Sequence, residues 1–93
     1  MSKRIFILGS TGSIGTSAVE VIEHLQRLDG KDAWNVVGLA SGSNSSLLLE
    51  QASLLDVPNL AIVDGDISSA PQSYTGTKAA VELLRNNAKK GDL

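Results

Sequence analysis

Three glycines stand at three-residue intervals, Gly9, Gly12 and Gly15, directly after the apolar run Ile5-Phe6-Ile7-Leu8. Types and spacing together suit the capture of a phosphate. Gly9 lets the chain turn sharply off a strand, and Gly12, lacking a Cβ, lets a pyrophosphate come close to the backbone. Gly15 lets the following helix pack tightly against the strands. The first N–H groups of that helix have no intrahelical partner and carry the positive end of its dipole, which favours an anion there. Ser10, Thr11 and Ser13 are read as hydroxyl donors to the same cradle. The spacing is G-x-x-G-x-x-G, a variant of the more familiar G-x-G-x-x-G, and no G-K-[ST] follows to make a nucleoside-triphosphate loop.

A dinucleotide is the ligand class this layout implies, and the second loop bears on which one. Enzymes that use NAD place Asp or Glu at the end of the second strand, against the ribose hydroxyls. Counting about twenty residues on from the turn reaches Asp29 and Asp32. Both precede the second strand and belong at the wrong end of the sheet. The strand itself ends in Ala40-Ser41-Gly42-Ser43-Asn44, which contains no acid. A small neutral loop accepts a 2′-phosphate that a carboxylate would repel, so Gly42, Ser43 and Asn44 favour NADPH. The same residues also suit a helix cap.

Nothing else in the chain assembles a catalytic centre. His24 reads as a solvated residue on the side of a helix, Asp64 and Asp66 as a surface turn around a glycine, and Trp34 as a lid on the core. No nucleophile and base pair up, so no catalytic residue and no metal ligand is assigned.

The elements that must hold these loops follow from the pattern. Residues 4–9 read as a strand buried on both faces. From Ser13 the period becomes helical, with Ile14, Ala18, Val21, Ile22, Leu25 and Leu28 expected inward and Glu20, Glu23, Gln26 and Arg27 outside. Gly30 is the expected C-cap. Trp34–Ser41 is a second strand, and Ser45 or Ser46 is expected to cap a helix with Leu47, Leu48, Ala52 and Leu55 inward. Leu60-Ala61-Ile62-Val63 is a third strand. Residues 64–76 read as a loop, and Thr77 to Asn87 as a third helix with Ala80, Val81 and Leu84 inward. The order is βαβαβα, an α/β class with a parallel three-stranded sheet in spatial order 3-2-1, half of a doubly wound, Rossmann-like fold. In the complete fold the first strand is central. Here its outer flank would be an exposed apolar edge, which marks residues 1–93 as the N-terminal part of a longer cofactor-binding domain, without catalytic or C-terminal domains.

Composition narrows the classes further. The chain has 93 residues, 42% hydrophobic and 19% charged, with a net charge of −2. Its eight Lys and Arg are scattered, so no nucleic-acid or membrane-surface footprint is present. Cysteine is absent, which excludes disulfides and thiolate metal sites. The apolar run after Met1-Ser2-Lys3-Arg4 is too short for a signal peptide, and a cytoplasmic protein is expected.

The string Ile7-Leu8-Gly9-Ser10-Thr11-Gly12-Ser13-Ile14-Gly15-Thr16-Ser17, followed by Val37 to Asn44, closely resembles the N-terminus of the 1-deoxy-D-xylulose-5-phosphate reductoisomerase family. Leu48, Glu50, Gln51 and Ala52 fit that family's second helix, and Pro58 to Asp64 its third strand. The resemblance implies NADPH contacts at Thr11, Gly12, Ser13, Ile14, Gly42, Ser43 and Asn44. Where some members carry a basic residue, this chain has Ser43. It also implies a homodimeric oxidoreductase of non-mevalonate isoprenoid biosynthesis, dependent on a divalent metal (Mg or Mn). Such an enzyme rearranges and reduces 1-deoxy-D-xylulose 5-phosphate to 2-C-methyl-D-erythritol 4-phosphate, and its metal carboxylates and catalytic loop lie beyond Leu93. The isolated chain is therefore expected to be inactive. Two other readings stand beside it: an NADP-binding part of an aspartate-semialdehyde-dehydrogenase-like enzyme, and a non-enzymatic nucleotide-binding or self-associating module.

Overall fold

The computed structural model describes residues 3–93; Met1 and Ser2, part of the basic start, lie outside the described residues. Seven elements alternate along the chain: β1 (Lys3–Leu8), α1 (Ser13–Asp29), β2 (Trp34–Ser41), α2 (Ser45–Leu55), β3 (Asn59–Ile62), β4 (Gln72–Thr75) and α3 (Ala79–Asn87). The strands form one sheet in the order β1-β2-β3-β4, parallel throughout. The α/β class, the parallel pairing and the 3-2-1 order of the first three strands agree with the sequence reading.

The fourth strand does not. Gln72–Thr75 falls in the stretch expected to be loop, yet it pairs with β3 from Asn59↔Gln72 to Ile62↔Thr75. It is a short, polar, largely exposed edge strand, the kind that hides from hydrophobic patterning because it buries little. No helix joins it to β3. Ile67 in the connection is buried instead and joins the apolar cluster beneath α2.

Side chains on the two faces of the sheet make two cores. On one face Ile5, Ile7, Val36, Leu39, Leu60 and Ile62 pack with Val19 of α1 and Leu48 and Leu55 of α2. On the other, Ala40 and Ala61 pack with Ala79 and Leu83 of α3. A register shift between Ile5 and Phe6 puts an extra residue, Val37, into β2. The Asn59 side chain donates to its carbonyl at 2.9 Å, so the irregularity leaves no orphaned acceptor there.

Helix α1 is rotated from its expected orientation, although Ala18 and Ile22 pack partly buried against the core as expected. Gly15, Val19 and Gln26 face inward, whereas Ile14 is 85% and Leu28 68% exposed, and Val21 is also exposed. The reason lies at Gly15: a Cβ there would sit 1.9 Å from the Gly9 carbonyl oxygen. That contact fixes which side of the helix meets the sheet, and the buried line then runs from Gly15 at helical spacing. Gln26, expected outside, donates instead to the Trp34 carbonyl at 2.7 Å. In α3 Ala79 and Leu83 are fully buried, Ala80 and Leu84 pack partly buried against the same cluster as expected, and Val81 is exposed.

The outer edge of β1 is not bare. Leu93 donates to the Arg4 carbonyl at 2.9 Å and accepts from the Phe6 N–H at 2.8 Å, alongside the ion pair from Arg4 Nε to Asp92 Oδ1 at 3.0 Å. With α1 and α2 on one face and α3 on the other, the C-terminal end of β1 lies where the direction of the crossovers reverses. Crevices at such a point are where open α/β sheets bind ligands.

Candidate functional site

The glycine turn joins β1 to α1 at that end of the sheet. Gly9 has φ +72°, a left-handed conformation that its place after the strand requires. The N–H groups of Gly9 and Ser10 both reach the Ala40 carbonyl, at 2.8 and 3.0 Å, which ties the turn to the end of β2. Thr11 Oγ1 and Ser41 Oγ lie 2.6 Å apart and make a second tie between the same segments. The tightness demanded of Gly15 is borne out by the 1.9 Å clash that a side chain would create.

Gly12 is the N-cap of α1, in extended backbone conformation, and no side chain caps the helix. Its N–H goes to the Gly9 carbonyl at 3.1 Å, and its own carbonyl accepts from Thr16. A Cβ on Gly12 would meet only the Gly9 oxygen, at an ordinary 3.5 Å. The protein itself therefore does not need a glycine there, and the open side is the one a ligand would use. Gly12, Ser13 and Ile14 are exposed around this start, and Thr11 is half-buried beside them.

Ser10 corrects one expectation. It is fully buried and its hydroxyl has no partner, so it is not a donor to the cradle. Its carbonyl accepts instead from Gln51 Nε2 on α2 at 2.8 Å, in a buried contact. Gln51 was not among the candidate residues. Its signal was a polar residue on the inward stripe Leu48, Gln51, Leu55 of an otherwise apolar helix face.

The second loop lies at the end of β2. Gly42, Ser43 and Asn44 are exposed. The Gly42 carbonyl accepts from Asp64 N–H at 2.9 Å, which holds the loop to the end of β3. Asn44, not Ser45 or Ser46, caps α2, its Oδ1 accepting from Leu47 N–H at 3.2 Å. The cap and the proposed cofactor contact thus fall on one residue.

Of the remaining candidates only Asp64 lies at this end of the sheet, its N–H on the Gly42 carbonyl. Asp29 Oδ2 accepts from Trp34 Nε1 at 2.9 Å, near the opposite end of β2, and Trp34 packs half-buried on the core. His24 is exposed on α1, and Asp64 and Asp66 are exposed after β3. Asp66 accepts from the Ser68 backbone N–H first and its hydroxyl second, which lowers its pKa and marks a local turn. Among the described residues no group of three His, Cys, Asp or Glu could hold a metal ion. No helix of the described residues is long and apolar enough to cross a membrane.

Comparison with known proteins bears on this geometry. The profile of the 1-deoxy-D-xylulose 5-phosphate reductoisomerase family matches residues 5–90. The chain belongs to that family. A reductoisomerase of Synechocystis is 51% identical over 97 residues, covering 91% of this chain and 23% of the relative. That of Tropheryma whipplei is 42% identical over 81 residues, covering 87% of this chain and 20% of the relative. The chain thus spans about a fifth of the length of the curated reductoisomerases it matches. A solved structure of the Zymomonas mobilis reductoisomerase, in complex with NADPH, superposes with a TM-score of 0.73 over 90% of this chain and 23% of the other, at 24% identity. That likeness supports the shared α/β fold.

Proposed function

We propose that this chain is the NADPH-binding segment of a 1-deoxy-D-xylulose 5-phosphate reductoisomerase. The observation that carries the proposal is the uncapped N-terminus of α1 over an open Gly12, at the C-terminal end of β1. Thr11, Ser13 and Ile14 bring backbone amides to a pyrophosphate and Gly12 the room its missing side chain leaves, with Gly9 and Gly15 shaping the turn. Gly42, Ser43 and Asn44, none of them acidic, receive the adenosine ribose and its 2′-phosphate.

When bound, NADPH supplies the hydride for the reductive half of converting 1-deoxy-D-xylulose 5-phosphate to 2-C-methyl-D-erythritol 4-phosphate. These residues hold and orient the cofactor. The divalent metal ligands, the substrate-phosphate site and the catalytic loop of such an enzyme belong to sequence outside residues 1–93. The described residues have no donor set that fits a metal.

Calorimetric titration with NADPH and NADH tests the proposal. NADPH is expected to bind, to bind more tightly than NADH, and to be displaced by pyrophosphate. Supplied with substrate and Mg or Mn, the 93-residue chain is expected to consume no NADPH. Absence of NADPH binding, or equal affinity for the two cofactors, would sink the reading.

A further inference from the structure

Gln51 presents an unusual balance for a core residue. It is buried, its Nε2 donates to the Ser10 carbonyl at 2.8 Å, and its Oε1 has no partner. A half-satisfied buried amide is a poor device for stability, because the unpaired oxygen loses its water without replacement. The amide orientation is set by chemistry: a carbonyl offers only an acceptor, so the NH₂ must face it. The value of the contact therefore lies in what it does to the backbone.

The Ser10–Thr11 peptide is trans and planar, so its C=O and N–H point in opposite directions. With the Ser10 oxygen held inward by α2, the Thr11 N–H must point outward, towards the open side of the turn. We propose that Gln51 is a positioning residue for the phosphate cradle, aiming the Thr11 amide at the cofactor pyrophosphate; this rests on the NADPH reading above. Without the anchor the peptide is free to rotate and to present a carbonyl oxygen where an anion should sit. The hydroxyl tie between Thr11 and Ser41 fixes the next side chain but leaves this peptide plane free.

Two variants and one spectroscopic measurement test the idea on the 93-residue chain. In the ligand-free protein, NMR should detect a through-hydrogen-bond coupling between Gln51 Nε2 and the Ser10 carbonyl carbon; its absence overturns the anchor whatever binds. Gln51→Met, close in volume, should melt near the wild-type temperature yet bind NADPH about tenfold more weakly at every pH. Gln51→Glu provides the rescue. Burial keeps its carboxyl neutral at low pH, where its O–H donates to the Ser10 carbonyl in the amide's place. Its affinity should approach wild type there and fall towards that of Gln51→Met as pH rises.

Glu20 of α1 and Glu50 of α2 are the ionisable residues lining the groove beside Gln51. They are common to all three proteins, so the pH step must appear in Gln51→Glu alone. A role confined to stability would lower the melting temperature of Gln51→Met and leave the Gln51→Glu affinity profile like wild type. If wild type binds NADPH and Gln51→Met binds it equally, the positioning role is wrong. If the coupling is present but wild type takes up no NADPH, it is the cofactor reading that fails.

Discussion

Helix α1 starts at Gly12, where no side chain accepts from its first turn, whereas α2 starts at Asn44, whose own side chain satisfies the Leu47 N–H. Both helices begin at the C-terminal end of a parallel strand, and both dipoles would attract an anion. Only α1 leaves its amides free to take one. The surrounding contacts sharpen the difference. The turn before α1 is tied to β2 through Ala40 and Ser41 and to α2 through Gln51. The loop before α2 is exposed and joined to β3 by the Gly42–Asp64 hydrogen bond. A rigid, open cradle suits the pyrophosphate common to every dinucleotide. A self-capped, adaptable loop suits the variable ribose end, where cofactors differ.

The most damaging way to break that contrast is Gly15→Ala. Its methyl would stand 1.9 Å from the Gly9 oxygen, a backbone atom that cannot swing aside. We expect a loss of at least about 3 kcal/mol, seen as a collapsed melting temperature by circular dichroism. Gly12→Ala separates folding from binding. Its backbone is extended and its Cβ would find ordinary contact distance, so stability should change by less than about 1 kcal/mol. NADPH affinity in calorimetry should nevertheless fall by more than about tenfold, because the methyl occupies the ligand's side of the turn. Equal affinity would mean that the anion is not held there.

At the second loop the expected effects are smaller and of another kind. Asn44→Ala removes a cap and should cost about 1 kcal/mol in thermal unfolding. Asn44→Asp keeps the capping oxygen, and its charge sits favourably at a helix N-terminus. Its stability should match or exceed wild type, while the NADPH-to-NADH affinity ratio falls because the carboxylate repels a 2′-phosphate. An unchanged ratio would remove Asn44 from the ribose end and leave it as a cap alone.

The contrast between the two loops explains what was legible in the sequence. Gly9 and Gly15 announce their geometry because each does something only glycine does, a left-handed turn and a close helix contact, and the family string around them is specific. The inward face of α1 is only partly legible because Ile14, Val21 and Leu28 are apolar at helical spacing yet exposed, and the Gly15 contact outweighs them in setting the helix rotation. Strand β4 was missed because an edge strand of Gln, Ser, Tyr and Thr carries no apolar alternation. Gln26 and Gln51 were missed for a shared reason. Each lies buried and donates to a backbone carbonyl of another element, and periodicity counts a glutamine as surface.

The smallest effect lies at the opposite end of β1, and it asks whether the turn is braced independently of the strand's outer edge. Asp92 has a lowered pKa, first because its carboxylate accepts from the Lys89 N–H at 2.8 Å, with the Arg4 contact adding to this and partial burial opposing it. A carboxyl whose folded pKa is depressed contributes stability above its unfolded pKa, and that contribution is lost as pH falls through the folded value. Melting temperature should therefore drop on acidification below the ordinary carboxylate range, with part of that slope removed by Asp92→Ala. Arg4 is four residues from Leu8, about 13 Å along a strand. Effects at such separation are close to additive, so the same variant should change NADPH affinity by less than about twofold. A larger change would show that the edge of β1 and the glycine turn move together, and that the cradle's rigidity depends on more than Ala40, Ser41 and Gln51.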